Sequence, residues 1–575
     1  MTEESDRPTP STAISGIDAY AVPKPQAPVD LHLEGNVGPA PPSEVLDGVA
    51  APEGEEVRSY PSRQAVAEAV AERFGLPADR LLVTAGADEA ILRTYRAVLE
   101  PGRNVVMPEP TFSMMRRFAA LAGAEVRAVD WSEGGYPIEA VLEEVDESTG
   151  LITVVSPNNP TGLVADEAQV RRLAEAAPGA IVLVDHAYIE FADDDLTDLA
   201  VEYDNIVVTR TLSKAWGLAG MRVGYAVAAP PVVDWLDTAG NPYPVAVSSV
   251  RYASHRLNSD DDDVDRYIER VQKERRELEA MLGDYGGRMT ESHGNFAFGR
   301  FEDADWIHQA LGGMGIGVRA FPDAGGLDDA LRISCAGNEA EHDRLKHALR
   351  TIFEPEGVLF DLDGVLADVS QSYRQAIIQT ADQFGLTLTD ADVSRWKSAG
   401  EANNDWILTQ RILADAGIEA GYDEIKAEYE ARYQGEGEFE GLWRREEFMY
   451  PLERIEALCE RYPVGIVTGR PRRDADRFFE QTGLGGVIDA CVCMEDAPQK
   501  PEPDPVELLM EQLGIERAWM VGDTPDDAQA ARAAGVLPFG VIAPGEEPET
   551  MRPALIEAGC ARIVDGLGEF ERLLP

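Results

Sequence analysis

Short, continuous apolar runs recur through the first part of the chain, at 81–84, 104–107, 151–155, 181–184 and 206–208. They do not alternate with polar residues, which predicts strands buried on both faces. Between them, 88–99 and 166–176 carry apolar positions at helical spacing. This alternation predicts an α/β fold with a largely parallel sheet. From about 228 to 350 the pattern turns more helical, as expected of a smaller lobe. Glu354-Pro355-Glu356 breaks it, and an apolar strand restarts at 357–360. A boundary is therefore expected there, with one domain over 13–354, a second over 355–575 and a polar, disordered tail at 1–12. Residues 370–455 are polar and helical, like an insertion, before strands resume at 464–467, 490–493 and 519–521.

Charge changes this picture in one respect. The chain has 104 acidic and 51 basic residues among 575, a net charge of −53. So acidic a surface stays hydrated and disfavours nucleic acid, and it suggests a salt-rich cytoplasm where screening is strong. The runs at Asp193–Asp195 and Asp260–Asp263 read as solvated surface. Five scattered cysteines give neither a disulfide framework nor paired zinc spacing, which points to a reducing cytoplasm. No signal-like start or membrane-length apolar stretch is present. Lysine is scarce, at seven residues, and Lys214 and Lys500 both stand among groups with chemistry.

A strand runs into Thr84-Ala85-Gly86-Ala87-Asp88-Glu89 and then a helix, whose free amides suit phosphate. Phe112 follows a strand. Ser156-Pro157-Asn158-Asn159-Pro160-Thr161-Gly162 puts amides on a stiff loop, and the strand at 181–184 delivers Asp185, with Tyr188 three residues on. Thr211, Ser213, Lys214 and Arg222 add hydroxyls and a guanidinium around one amine. Pyridoxal 5′-phosphate needs such a set: an amine for its aldehyde, a carboxylate for its ring nitrogen, and donors for its phosphate.

The ordered motifs over 14–350 resemble the fold-type I pyridoxal-phosphate aminotransferases, most closely the histidinol-phosphate aminotransferase family. The resemblance implies that Lys214 carries the cofactor and moves the proton, and that Asp185 pairs with the ring nitrogen. It implies that Tyr188 and Asn159 bond the ring hydroxyl and Phe112 stacks on the ring. Gly86, Ala87, Ser213 and Arg222 would hold the phosphate, with Tyr60 reaching it from the second subunit of a homodimer. Arg332 would bind the substrate carboxylate, while Tyr20, Asn36 and Arg319 line the substrate end. His186 stands where that family usually has Glu, which is expected to retune polarity near the ring nitrogen. Glu34-Gly35-Asn36-Val37 also departs from the usual motif, leaving substrate preference open.

In the second half, Asp361 and Asp363 follow an apolar strand, spaced for attack and proton transfer. Thr468, Lys500-Pro501 and Gly522-Asp523-Thr524-Pro525-Asp526-Asp527 come after them in order. Together these resemble the haloacid-dehalogenase superfamily of phosphatases. The resemblance implies Asp361 as nucleophile and Asp363 as acid and base, with Thr468 and Lys500 on the phosphoryl oxygens. Mg²⁺ would be held by Asp361, Asp523, Asp527 and the Asp363 carbonyl, beneath a helical cap at about 370–455. Two consecutive steps of histidine biosynthesis are then expected: transamination of imidazole acetol phosphate with glutamate, and hydrolysis of the histidinol phosphate formed. The alternatives are an aminotransferase or decarboxylase of another amino-acid phosphate joined to a phosphoglycolate-like phosphatase, or a catalytically dead scaffold.

Overall fold

The computed structural model describes residues 10, 11, 13–15, 17, 19, 26–259, 262–322 and 325–575. The chain divides into two compact units. The first is built on 33–304 and 319–342; the second is built on 305–318 and 343–575, joined by a segment through Asp30. This cut differs from the expected boundary at 354/355. Its physical reason is an aromatic cluster within the second unit, where Trp306 lies 5.6 Å from Trp519 and 5.5 Å from Phe539. The Trp519 indole also donates to the Thr351 carbonyl at 2.7 Å. Both Trp306 and Thr351, which precede 354, therefore belong to the core of the second unit.

The first unit holds a seven-stranded sheet: β1 (Leu81–Thr84), β2 (Asn104–Glu109), β3 (Glu125–Asp130), β4 (Thr149–Val155), β5 (Ile181–Asp185), β6 (Ile206–Thr211) and β7 (Gly224–Val227), in the order β1-β7-β6-β5-β4-β2-β3. Only β7 runs against its neighbours, so the other strands end at one edge. The continuous apolar runs are buried as expected, with Val182, Leu183 and Val184 fully enclosed. Each such side chain contributes about 1.5–3 kcal/mol relative to exposure. A second, antiparallel sheet comprises β8 (Arg288–Thr290), β9 (Phe296–Arg300), β10 (Arg319–Ala320) and β11 (Ala330–Ser334), ordered β10-β11-β9-β8.

The second unit is built on a parallel sheet of β12 (Gly357–Phe360), β13 (Val464–Val467), β14 (Ala490–Val492), β15 (Ala518–Gly522), β16 (Leu537–Val541) and β17 (Arg562–Val564), ordered β14-β13-β12-β15-β16-β17. Between β12 and β13 lie the cap helices Tyr373–Gln383, Asp390–Ser398, Asp405–Asp415 and Tyr422–Gln434. The acidic runs are not wholly solvated surface. Asp195 accepts from buried Arg210 at 2.9 Å, and Asp263 accepts from buried Arg256 at 2.9 Å. A buried guanidinium needs such a partner. Among the described residues, no helix is long and apolar enough to cross a membrane.

Candidate active sites

The C-terminal ends of β1, β2, β4, β5 and β6 open on a cavity of about 770 Å³, the place where open α/β sheets present ligand groups. Asp185 ends β5 in register with Thr209 of β6, whose hydroxyl donates to its Oδ1 at 3.1 Å. Burial raises the Asp185 carboxyl to about 7 against that hydrogen bond. No cationic side chain lies within 4.0 Å of it among the described residues. A buried anion without a counter-charge fits a protonated ring nitrogen.

Lys214 follows β6, its Nζ 5.3 Å from the centre of the Tyr188 ring. Lys214, Asp185, Tyr188 and Phe112 all line the cavity. The Tyr188 hydroxyl accepts from Asn36 Nδ2 at 3.1 Å, and Asn36 Oδ1 accepts from Ser334 at 2.8 Å.

Gly86 caps the helix Ala87–Val98 with φ +80°. That left-handed backbone favours glycine, and a Cβ there would stand 2.7 Å from the Arg222 guanidinium. Arg222 reaches Ser213 Oγ at 3.5 Å and Asp88 at 3.3 Å, and Ser213 Oγ accepts from Thr211 at 2.8 Å. Amides of a helix start beside an arginine and hydroxyls fit a phosphate group.

Arg319 and Arg332 are register partners on β10 and β11 and line the same cavity. Arg332 donates to Asn159 Oδ1 at 2.5 Å and to the Glu34 carbonyl at 2.6 Å. Asn159 therefore bonds an arginine here; among the described residues it is Asn36 that reaches the Tyr188 hydroxyl.

Tyr60 stands away from its own chain's cavity, 80% exposed and stacked on Tyr243 at 4.4 Å. Tyr20 lies outside the described residues.

His186, expected to retune polarity near the ring nitrogen, is not among the residues lining the cavity. Its Nδ1 donates to the Ser156 carbonyl at 2.5 Å, and its Nε2 accepts the Leu196 N–H at 3.1 Å. The Nε2 contact requires a neutral ring. Burial lowers its pKa to about 4. Such a group stabilises the fold above the ordinary imidazole pKa, and that contribution is lost as pH falls towards 4. Urea unfolding at pH 7 and pH 4 should reveal up to about 3 kcal/mol of acid sensitivity that His186→Gln lacks.

The second site follows the same strand-end logic. Asp361 follows β12, Thr468 follows β13 and Asp523 follows β15, at the ends of three adjacent strands. Carboxylate oxygens of Asp361, Asp523 and Asp527 lie within 4.8 Å of one another. Lys500 donates to Asp361 at 2.6 Å and also to Asp527. Burial raises Asp361 to about 7, with Lys500 opposing, while burial together with Asp527 and Asp361 holds Asp523 well above the ordinary carboxylate range. Crowded carboxylates short of positive charge suit a hard divalent cation.

Gly364, at φ +77°, must lack a Cβ because one would strike the Asp523 carboxylate. Asp363 turns its side chain outside the three-carboxylate cluster and accepts from Arg470 Nε at 2.7 Å and Nη2 at 2.5 Å. The Thr468 hydroxyl accepts the Arg470 N–H at 3.1 Å.

Sequence reasoning passed over Thr209 and Arg470. Each stands beside a motif that was read, Thr209 two residues before Thr211 and Arg470 two after Thr468. Only the strand register could reveal the first, and only the folded loop the second.

A model of the aminotransferase class I and II family matches residues 37–349, and a model of the haloacid dehalogenase-like hydrolases matches 355–535. The histidinol-phosphate aminotransferase of Caldanaerobacter subterraneus subsp. tengcongensis is 33% identical over 350 residues, covering 59% of this chain and 97% of that relative. That of Geobacillus thermodenitrificans is 35% identical over 335 residues, covering 56% and 90%. An imidazoleglycerol-phosphate dehydratase of Phytophthora nicotianae is 40% identical over 237 residues, covering 38% of this chain and 52% of that relative, so the chain spans about half its length.

Among solved structures, the histidinol-phosphate aminotransferases of Sinorhizobium meliloti and Clostridium acetobutylicum share the fold. Their TM-scores are 0.53 and 0.50 at 21% and 20% identity, covering 61% and 56% of this chain and 100% and 98% of theirs. Aminotransferases of this class use pyridoxal phosphate, and hydrolases of the second family use Mg²⁺. The chain belongs to the class I and II aminotransferases and carries a haloacid dehalogenase-like hydrolase domain behind that region.

Proposed function

We propose that the chain catalyses two consecutive steps of histidine biosynthesis: amino transfer from glutamate to imidazole acetol phosphate, then hydrolysis of the resulting L-histidinol phosphate. The observation that carries the first step is one cavity holding Lys214, Asp185 and the Arg319–Arg332 pair. The relatives add weight, since their names refer to histidinol phosphate and imidazoleglycerol phosphate.

Pyridoxal phosphate, when bound, supplies an electron sink for the substrate's α-carbon. In this reading Lys214 would hold the cofactor through its aldehyde and would take up and return the proton at the substrate's α-carbon. Asp185 would keep the ring nitrogen protonated, and Gly86, Ala87, Ser213 and Arg222 would hold the phosphate. Arg332 and Arg319 receive substrate anions, bidentate guanidinium being suited to both carboxylate and phosphate. The exposed Tyr60–Tyr243 stack supports pairing with a second copy, whose cavity Tyr60 would enter.

In the second site Asp361 attacks phosphorus, the ester C–O–P bond breaks at phosphorus, and Asp363 protonates the departing alkoxide. Asp363 then takes a proton from water, which hydrolyses the aspartyl-phosphate. Mg²⁺, held by Asp361, Asp523 and Asp527, would neutralise charge on the transferring group. Lys500 fixes Asp361 for attack, and Arg470 positions Asp363.

The protein supplied with imidazole acetol phosphate, glutamate, pyridoxal phosphate and Mg²⁺ should yield histidinol and inorganic phosphate. Far more efficient phosphate release from unrelated small esters than from histidinol phosphate would defeat the pathway reading while sparing both reaction types.

A further inference from the structure

The hydrolase cavity contains a lysine and a carboxylate that no opposite charge touches. Asp405 opens the cap helix Asp405–Asp415, and its Oδ2 accepts the Tyr429 hydroxyl at 2.7 Å. Among the described residues its other oxygen takes no hydrogen bond, and no cation lies within 4.0 Å. Lys397, on the neighbouring helix Asp390–Ser398, lines the same cavity and has no carboxylate within 4.0 Å among those residues.

The remaining acids on the cap side are matched. Asp474 takes Arg477 at 2.7 Å, Glu430 takes Arg473 at 2.8 Å, and Asp363 takes Arg470. Among the described residues, Lys397 and Asp405 are thus the cap charges lining this space that no opposite charge touches.

Both share their cavity with the reacting groups. Burial works against the Lys397 charge, yet Asp405, Asp523 and Glu546 raise its pKa above the ordinary lysine value. Asp523, of the candidate metal cluster, lines the same cavity as Lys397. Burial raises the Asp405 pKa, Lys397 opposes it, and Asp363 adds to it. Asp363, which would protonate the leaving alcohol, lines that cavity too. Trp406, next in sequence, lends the same cavity an aromatic wall.

Opposite charges that share an enclosed space without meeting leave a gap that a molecule bearing both signs closes. We propose that Lys397 and Asp405 select a phosphate monoester of an amino alcohol, with Lys397 on the phosphoryl oxygens and Asp405 on the ammonium of the leaving group. This rests on the phosphatase reading of the site and narrows it to a substrate class. An ester with a carboxylate on its leaving group would instead bring two anions together, an arrangement that rejects it.

The test compares phosphate release by the full-length protein with Mg²⁺ from 2-aminoethyl phosphate, ethyl phosphate, phosphoglycolate and histidinol phosphate. The expected order of kcat/KM places the amine above the neutral ester and the neutral ester above phosphoglycolate. In Asp405→Asn the amine-to-neutral ratio should fall about 30-fold or more, the scale of an unpaired buried charge, and Asp405→Glu should restore part of it. Lys397→Met should raise KM for all the esters. Asn can still accept the Tyr429 hydroxyl, and thermal melts of each variant separate misfolding from lost selectivity.

A ratio indifferent to Asp405→Asn, or phosphoglycolate as the best substrate, overturns the proposal. Histidinol phosphate hydrolysed without any Asp405 dependence would overturn it too, yet leave the pathway reading intact. Asp405-dependent turnover of the amino ester with no turnover of histidinol phosphate would support the class and end the pathway reading.

Discussion

Lys214→Ala is expected to lower amino transfer by at least about 10⁴-fold, the scale seen when a catalytic unit loses its reactive group. The visible absorption band of the lysine-bound cofactor should vanish with it. Among the described residues no other of the chain's seven lysines lines the 770 Å³ cavity. Lys273 is a solvated helix residue, and Lys426 lies 3.8 Å from the centre of the Trp406 ring in the other unit. Lys397 and Lys500 serve the second cavity. A small soluble amine should restore part of the rate if the loss is chemical, and should restore none if the fold has failed. A band that survives the substitution would move the cofactor to another residue.

The second large effect is expected from Asp361→Asn. Phosphate release should fall by at least about 10⁴-fold, because an amide cannot form the acyl-phosphate bond. Amino transfer, housed in the other unit, should continue. The substitution should also change how metal-free protein responds to pH. Asp361 has its folded pKa raised to about 7, burial being the largest cause. A raised carboxylate contributes stability below the ordinary carboxylate range, and that contribution is lost as pH rises through about 7. Thermal melts of metal-free wild type should therefore fall across that window, and Mg²⁺ should reverse the fall. In Asp361→Asn both responses should shrink.

Local pattern disclosed the residues that end strands, and concealed those that strands bring together. Asp185, Lys214, Asp361 and Asp523 each follow an apolar run that fixes where the side chain emerges, so they could be read along the chain. Thr209 beneath Asp185 is a matter of register between strands, which no single stretch encodes, and Arg319 opposite Arg332 was named only through the family resemblance. β3 was missed because half of its residues are charged and half exposed, at a sheet edge, and β7 because Gly224 and Ala226 make half of it weak strand formers.

His186 misled for a related reason. Its position beside Asp185 suggested a role in the cavity, but successive residues at a strand end point to opposite sides, and its ring is spent on Ser156 and Leu196. The division of the chain was hidden by packing. Trp306 reads as part of the first domain by sequence, yet its indole joins Trp519 and Phe539.

The most direct test of the two-step claim follows 2-oxoglutarate and inorganic phosphate together in one reaction started with imidazole acetol phosphate. Phosphate should appear only when glutamate is present, lag behind 2-oxoglutarate, and reach one equivalent per amino group transferred. Phosphate released at the same rate without glutamate would show that the hydrolase does not wait for the aminated product, and the consecutive scheme would be wrong.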